Sequence, residues 1–413
     1  MGSLSVLSQS LTLPNGSVLP NRIAKAAMEE GLADKNFLPG ENMFHLYERW
    51  ARGGAGLLIT GNMMIDRTAL TGPGNVIVRD GNIEPFQRLA EVAQAKGSKL
   101  WMQINHPGRQ VFGFIAETPV APSAVKVQIP GRFLAKIFGT PRALTSDEIK
   151  RIIDRFVNAA KLAEAAGFHG VEVHSAHGYL LSQFLSPLTN LRTDEWGGTL
   201  ENRAKILLEI VKGIRATTKR EFCVGVKLNS ADFQKGGFEE SDAIKVIEML
   251  NNTGIDLLEI SGGNYESPAM QGNSKTGTSP REAYFLEFAR KASKSAKMPL
   301  MATGGFRSRS IMEEAIRSHA VDMIGIGAPF ALNPDCASKL ISGELESIQV
   351  DIPDLSNPTF NSLSKMSALR VQFSRMAKGK DPKVPSFLLG NLILEQIRAR
   401  RNAKNYKRFL LAK

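Results

Sequence analysis

Two histidines and a tyrosine stand close together between residues 171 and 187 and could act in one reaction. His174 and His177 are three residues apart where a predicted strand gives way to a turn, so both imidazoles can reach one oxygen atom. Tyr179 follows two residues later, and a phenol with a pKa of about 10 is protonated at pH 7 and can donate a proton to a developing carbanion. A packed histidine pair and a packing tyrosine are the alternative interpretations. A metal site would need a third or fourth ligand, which no spacing here supplies, so we predict no metal.

Glycines at two later positions predict a site for a phosphate group. Gly304 and Gly305 follow one short apolar run, Gly327 follows the next, and a predicted helix begins after each. Backbone N–H groups and a helix N-terminus that face one point bind an anion. Tight turns between strands and helices would use glycine at the same positions, so both interpretations stay open.

The apolar pattern of the whole chain predicts eight strands that alternate with helices. Alternating polarity or a short apolar run indicates a strand, whereas a period of 3.6 residues indicates a helix. The strands are predicted near Arg22 to Ala27, Leu57 to Gly61, Lys99 to Ile104, Gly170 to His174, Cys223 to Leu228, Asp256 to Ser261, Pro299 to Thr303 and Asp322 to Ile326. Eight such units favour a closed parallel (β/α)8 TIM barrel of the α/β class. A doubly wound sheet is the alternative, but no Gly-x-Gly-x-x-Gly follows the first strand.

In a barrel of this kind, the residues that follow the strands converge at one end. Two long segments, Pro107 to Leu144 and Ser175 to Thr199, follow the third and fourth strands, and loops of this length are usually functional. The residues at the other strand ends that we assign to the same site are Ala27, Met28, Glu29, Asn62, Gln103 and Lys227. We therefore expect one site that combines histidine, tyrosine, amide, cationic and glycine groups.

Five groups of residues form motifs that can be compared with known families. They are the stretch from Val171 to Pro187, the Asn190-x-Arg192-Thr193-Asp194-Glu195-Trp196-Gly197-Gly198 block with Glu201-Asn202-Arg203, Asn21-Arg22-Ile23, Gln103-x-x-His106-x-Gly108-Arg109 and Thr303-Gly304-Gly305-Phe306. In these motifs the sequence resembles the Old Yellow Enzyme family of FMN-dependent NAD(P)H oxidoreductases. The resemblance covers roughly residues 8 to 343 and leaves the C-terminal segment outside.

This resemblance implies a role for each candidate residue. His174 and His177 would bind the carbonyl or nitro oxygen of an activated alkene, and Tyr179 would protonate its α-carbon while FMN N5 delivers hydride to the β-carbon. NADH or NADPH would reduce the FMN. The remaining residues would hold the cofactor: Gln103 at the pyrimidine edge, Lys227 near N1, Gly304, Gly305 and Gly327 at the phosphate, and Ala27, Met28, Glu29, Asn62 and Ala328 around it. The implied substrates are enones, quinones, nitro compounds and similar acceptors.

Three positions depart from the family pattern. Glu29 stands where the family usually has Thr or Cys in contact with a flavin carbonyl, and its carboxylate could oppose charge on reduced flavin. Ala328 stands where the family often has Arg, so a phosphate cation must come from elsewhere, with Arg307 as one candidate. Lys227 stands where the family more often has Arg, and a lysine ammonium cannot make the bidentate contact that an arginine guanidinium makes. These departures bear on the reduction potential of the flavin more than on the class of reaction.

Charge is the unusual feature of the composition. The chain has 413 residues, 43% of them hydrophobic, and a formal net charge of +12. Residues 361–413 contain 13 Lys or Arg against two carboxylates, so this segment carries +11 of that charge. We therefore predict a barrel over residues 1–344 and a basic, mainly helical C-terminal extension over residues 345–413.

The same composition bears on partners and location. Two cysteines cannot build a disulfide framework or a cysteine-ligated cluster, and the chain shows no signal-peptide pattern and no apolar run long enough to span a bilayer. We expect a cytoplasmic protein without a nucleic-acid partner. The extension could dock on the barrel, pair with another subunit or touch a membrane surface.

Two other classes of function are kept as alternatives. A non-redox isomerase or lyase could bind a phosphate ligand at the glycines and use His174 or Tyr179 for general acid–base catalysis. This interpretation does not explain Gln103 or the block that begins at Asn190. A binding protein could engage nucleic acid or an anionic membrane through the basic extension, but the extension shows no aromatic-interleaved basic motif.

Overall fold

Eight parallel strands form a closed ring in the computed structural model, which describes residues 5–128, 137–263, 266, 279–353, 358–384 and 387–411. The strands are β1 (Ile23–Lys25), β2 (Leu57–Ile59), β3 (Lys99–Asn105), β4 (Gly170–Ser175), β5 (Cys223–Asn229), β6 (Leu257–Ser261), β7 (Leu300–Thr303) and β8 (Met323–Ile326). Each pairs with the next in chain order, and β8 pairs with β1 to close the ring. The predicted (β/α)8 barrel is confirmed.

Helices pack around the strands, and each predicted helix is found. They are α1 (Glu41–Ala51), α2 (Glu84–Gln94), α3 (Ser146–Ala165), α4 (Leu180–Leu185), α5 (Leu200–Thr217), α6 (Glu240–Leu250), α7 (Ser279–Ala292), α8 (Arg309–Arg317), α9 (Pro329–Leu332), α10 (Cys336–Ser342), α11 (Pro358–Met376) and α12 (Leu388–Leu411). Helix α3 begins with a complete capping box, in which the Thr145 hydroxyl accepts from the Glu148 N–H and the Glu148 carboxylate accepts from the Thr145 N–H. The short helices α4 and α9 were not predicted from the sequence.

The alternation of residues along the strands separates two environments. Val171 and Val173 belong to the large core between strands and helices, whereas Glu172 and His174 lie on the other side of β4. The amino end of the ring is closed by an apolar cluster of Leu11, Leu13, Leu19, Ala24, Leu57, Ile59, Trp101, Cys223, Leu257, Met301 and Met323. The polar residues on the inner side of the strands, such as Gln103 and His174, lie further towards the carboxyl end of the ring.

The C-terminal helices pack against the barrel. On α11, Phe373 is buried and its ring meets that of Trp50 on α1 edge to face, with the centroids 5.4 Å apart. On α12, Tyr406 is fully buried and its hydroxyl donates to the Arg67 carbonyl at 2.7 Å. These two contacts anchor both helices of the expected extension, whose boundary at residue 344 stays a prediction.

One face of α12 is open to solvent and combines two kinds of residue. Leu389, Ile393, Leu394 and Ile397 are 52–61% exposed in the first half of the helix. The second half exposes basic residues, namely Arg400, Arg401, Lys404, Lys407 and Arg408. Among the helices in the described ranges, none has the length and apolar character needed to cross a membrane.

Candidate active site

The two histidines and the tyrosine form one cluster at the carboxyl end of β4. The ring centroids of His174 and His177 are 5.1 Å apart, and those of His174 and Tyr179 are 5.0 Å apart, both in edge-to-face geometry. His174 and Tyr179 are buried, with 3% and 6% of their surface exposed. The structure thus brings together the three residues that the sequence assigned to the reaction.

The position of His177 depends on an unusual backbone conformation. Its φ of 60° lies in the left-handed region, which a non-glycine residue adopts only when its surroundings hold it there. The His177 N–H donates to Asn229 Oδ1, its carbonyl accepts from Gln110 Nε2, and its Nε2 lies 2.9 Å from Ser261 Oγ. The carboxyl ends of β5 and β6 and the loop after β3 therefore fix this residue.

His174 is held as a neutral imidazole with a defined tautomer. The Ala176 N–H donates to His174 Nδ1 at 3.2 Å, so Nδ1 carries no proton and Nε2 carries one. Burial, together with the nearby His177 and Lys227, lowers the pKa of His174 well below its usual value. The residue is thus a hydrogen-bond donor through Nε2 at neutral pH.

Inside the barrel, next to this cluster, lies a layer of four polar side chains. Gln103 Nε2 donates to Glu172 Oε2 at 2.6 Å, and Lys227 Nζ donates to Glu259 Oε1 at 2.5 Å. All four side chains are buried. The register of the strands explains these pairs, because Gln103 is opposite Glu172 and Lys227 is opposite Glu259.

The two carboxyl groups of this layer differ in their proton affinity. Burial and the neighbouring Glu259 raise the pKa of Glu172 well above its usual value. Burial also opposes ionisation of Glu259, but the neighbouring Lys227 ammonium outweighs it and lowers the pKa of Glu259. The carboxyl group of Glu172 therefore binds a proton more readily than that of Glu259, which is the carboxylate paired with Lys227.

The loop after β1, which carries Ala27, Met28 and Glu29, is fixed by a buried cluster. Glu30 accepts hydrogen bonds from the Tyr47 hydroxyl and from the Gly61 N–H, the latter at 2.9 Å. Lys25 lies 3.7 Å from Glu30, and its ammonium sits 4.3 Å from the centre of the Trp50 ring. Because Gly61 precedes Asn62, this cluster holds the β1 and β2 loops together.

Two features at the strand ends fit the FMN that the family resemblance implies. Asn62 is 7% exposed, and its Oδ1 is a buried acceptor without a hydrogen-bond partner among the described residues. Gly304 has a φ of 135°, and a Cβ there would meet the Phe285 ring at 2.9 Å, so only glycine fits this turn. Gly327 adjoins Met28, since a Cβ on Gly327 would lie 3.9 Å from Met28 Cγ. A polar acceptor and a bare glycine backbone thus border the same end of the barrel.

The glutamate that departs from the family pattern is paired across the fold. Glu29 Oε1 lies 3.0 Å from Arg370 Nη2, on α11 of the C-terminal extension. Arg370 was not predicted as a site residue, because 341 residues separate the two partners and no local spacing links them. Glu172 and Glu259 were also missed, although each lies two residues before a strand-end residue of the site and so shares its side of the strand.

Comparison with known proteins gives the class of protein to which this parallel eight-stranded barrel belongs. Residues 9–346 match the NADH:flavin oxidoreductase / NADH oxidase family. The chain belongs to this family and is an FMN-dependent NAD(P)H oxidoreductase of the Old Yellow Enzyme type.

Individual relatives give the same result. The chain is 39% identical over 352 residues to NADH-dependent flavin oxidoreductase iliE of Hypocrea jecorina, covering 79% of this chain and 86% of the relative. It is 37% identical over 353 residues to NADH-dependent flavin oxidoreductase nadA of Aspergillus parasiticus, covering 82% and 79%. Among solved structures, morphinone reductase is 27% identical with a TM-score of 0.68, covering 84% of this chain and 92% of that one. An old yellow enzyme homologue from Zymomonas mobilis is 26% identical with a TM-score of 0.70, covering 83% and 94%.

Proposed function

We propose that this oxidoreductase is an ene-reductase that reduces activated alkenes, with quinones and nitro compounds as related acceptors. The observation that carries the proposal is the cluster of His174, His177 and Tyr179 at the carboxyl end of β4. It places two imidazole rings and a phenol ring side by side, with centroids 5.0–5.1 Å apart. Bound FMN would supply the hydride for the β-carbon of the alkene.

The histidines bind the activating group of the substrate. His174 Nε2 donates to a carbonyl or nitro oxygen, and His177 donates to the same oxygen from the adjoining ring. These hydrogen bonds withdraw electron density from the β-carbon and stabilise the negative charge that develops on the oxygen in the transition state. Because His174 is neutral, it makes this contact without adding a full positive charge to the site.

Tyr179 completes the reduction by protonating the α-carbon. Its backbone N–H donates to the Ala176 carbonyl at 3.2 Å, and its carbonyl accepts from the Gln183 N–H at 2.8 Å. The residue is thereby fixed at the N-terminus of α4, with its ring against His174. A positioned acid of this kind accelerates a proton transfer by roughly 10²–10⁴-fold.

The residues proposed to hold FMN surround this cluster. Gln103, Asn62 and Lys227 supply polar contacts, the Ala27–Met28–Glu29 loop borders the ring system, and Gly304, Gly305, Gly327 and Ala328 take the phosphate. Two observations support this assignment. Asn62 Oδ1 has no hydrogen-bond partner among the described residues, and the turn at Gly304 accommodates only glycine.

The test separates the two half-reactions. Stopped-flow absorbance follows flavin reduction by NADH and then reoxidation by 2-cyclohexenone in the wild type, in Tyr179→Phe and in Tyr406→Phe. Tyr406 also donates from a phenol, but to a carbonyl outside the site. We expect Tyr179→Phe to keep its reduction rate and to slow alkene reduction by about 10²-fold or more, with Tyr406→Phe unchanged. Equal losses in both half-reactions would contradict the role of Tyr179.

We also propose that the protein is cytoplasmic and self-associates. Both cysteines are buried free thiols, as suits a reducing compartment.

The proposed self-association uses the exposed apolar half of α12. This half could pair with the same half of a second copy around a two-fold axis, which keeps the two basic halves apart. Analytical ultracentrifugation of the wild type and of Ile393→Asp/Ile397→Asp tests self-association. A wild-type dimer that the double variant abolishes is expected, and a monomeric wild type would contradict it.

A further inference from the structure

We infer that Arg370, from the C-terminal extension, is a positioning residue of the flavin site that neutralises Glu29. This inference rests on the proposed placement of Glu29 at the flavin. It gives the basic extension a part in the reaction, although the extension lies beyond the residues that match the family.

The contact itself is a partly buried ion pair with a second carboxylate behind it. Arg370 Nη2 lies 3.0 Å from Glu29 Oε1, and Arg370 Nη1 lies 3.4 Å from Glu395 Oε1 on α12. The side chains of Glu29, Arg370 and Glu395 are 17%, 24% and 14% exposed. Arg398 reaches the other oxygen of Glu395 at 3.4 Å, so this carboxylate is shared between two arginines. Arg370 thus forms an ion pair with Glu29 in the loop after β1 and with Glu395 on α12.

The position of Glu29 makes its charge relevant to the cofactor. Its neighbour Met28 approaches Gly327 at the end of β8, and its neighbour Glu30 is tied to the Gly61 N–H at the end of β2. Its Oε1 also lies 3.0 Å from the place that a Cβ on Gly72 would occupy. The loop that carries Glu29 thus adjoins the loops after β2 and β8, and the carboxylate itself lies near Gly72, in the loop after β2.

The extension is anchored so that Arg370 is held at this place. Phe373, one helical turn further along α11, packs against Trp50 of α1. One turn later, the Ala377 carbonyl lies 3.1 Å from His45 Nδ1, again on α1. Two contacts with the same barrel helix fix the part of α11 that follows Arg370.

A carboxylate beside the flavin has an electrostatic consequence. Two-electron reduction of a flavin leaves an anionic ring at neutral pH, and a like charge nearby disfavours that state. Arg370 offsets the charge of Glu29, so the pair as a whole is neutral. Loss of Arg370 alone would leave an uncompensated anion in a partly buried site, whereas loss of both partners would not.

A double-mutant cycle with two readouts tests this. The reduction potential of bound FMN and the dissociation constant of oxidised FMN are measured for the wild type, Arg370→Gln, Glu29→Gln and Glu29→Gln/Arg370→Gln. Arg375→Gln is the matched control, because Arg375 lies on the same helix and donates to the Asp381 carbonyl. Thermal melting of each apo-protein reports folding separately.

We expect Arg370→Gln to shift the potential downwards and to weaken FMN binding by about tenfold. The double variant should return both values to near those of the wild type, and Arg375→Gln should leave them unchanged. A potential in Arg370→Gln equal to that of the wild type, or a double variant no better than Arg370→Gln, would overturn the inference. Either result in FMN-loaded protein leaves the proposed function standing, whereas a wild type that binds no FMN would refute the proposed function itself.

Discussion

The imidazole of His174 is neutral, and we expect this to determine how ligands bind at the proposed site. Its Nδ1 accepts from the Ala176 N–H, and burial keeps its pKa low, so its Nε2–H is available throughout the neutral range. We expect His174→Ala to weaken binding of a carbonyl ligand by about fivefold, the effect of losing one hydrogen bond of roughly 1 kcal/mol. Titration of the flavin absorbance with 2-cyclohexenone analogues that cannot be reduced measures this.

The control for that substitution is His169→Ala, because His169 precedes β4 at the opposite end of the barrel. Wild-type affinity should stay constant between about pH 6 and 8, since no protonation of His174 occurs there. An affinity that is unchanged in His174→Ala would remove this residue from the site.

His169 provides a separate prediction about pH and stability. Burial and the nearby Lys99 ammonium lower the pKa of His169 to about 4, whereas a histidine in the unfolded chain titrates near 6.5. Between these values the unfolded chain binds a proton that the folded chain does not. The free energy of unfolding should therefore fall as the pH decreases through this window.

Urea unfolding at pH 7 and pH 5 compares the wild type with His169→Gln. The wild type should lose more stability between the two pH values than the variant does. Because His174 is present in both proteins, its own contribution cancels. Equal losses would show that His169 does not have the lowered pKa described above.

At the residue scale, the sequence predicted the groups that lie close along the chain. His174, His177 and Tyr179 fall within six residues, and the structure brings their rings together. The partners of Gln103, Lys227 and Glu29 were not predicted, because each comes from another strand or from α11. Lys227 was expected to act as a cation near the flavin, but the structure shows that Glu259 balances it.

At the scale of elements, Phe373 is a buried aromatic contact between α11 and the barrel. Phe373 is 2% exposed and packs on Trp50, so Phe373→Ala should cost about 3–5 kcal/mol in the free energy of unfolding and loosen the extension. Met366→Ala is the matched control, because Met366 is on the same helix and 36% exposed. Urea unfolding and limited proteolysis measure the two effects.

We expect early cleavage of the extension in Phe373→Ala but not in Met366→Ala. Equal stability and equal cleavage in the two variants would contradict the docking of α11 through Phe373. Because Arg370 is one turn away, the potential of bound FMN should also move in Phe373→Ala.

The elements themselves were largely predictable from their apolar periodicity. All eight strands and their helices follow from short apolar runs and from stripes such as the one on α3. Helices α4 and α9 were missed because six and four residues are too short to show a period. The packing of α11 on α1 could not be predicted, since periodicity shows which face is apolar and not what covers it.

At the scale of the molecule, FMN should stabilise the fold by joining several strand ends. A ligand that binds only the folded state adds about 2.7 kcal/mol at 100 times its dissociation constant. Thermal melting of the apo-protein with FMN and with riboflavin, which lacks the phosphate, tests the glycine turns. FMN should stabilise more strongly at equal concentration, and equal stabilisation would contradict a phosphate site at Gly304, Gly305 and Gly327.

Most of the positive charge of the molecule lies in the C-terminal extension, but the basic residues of this segment are not all exposed to solvent. Residues 361–413 carry most of the +12, and a row of basic residues on α12 faces solvent. Arg370 of the same segment instead reaches Glu29 in the barrel. The extension therefore contributes a contact to the site as well as an exposed basic surface.

We propose that bound flavin passes electrons from a nicotinamide to an activated alkene in this site. Anaerobic titration of the purified, FMN-loaded protein with NADH, followed by addition of 2-cyclohexenone, tests this proposal in the visible spectrum. We expect NADH to bleach the flavin absorption and the enone to restore it, with one cyclohexanone formed per flavin. A reduced flavin that the enone fails to reoxidise would contradict it.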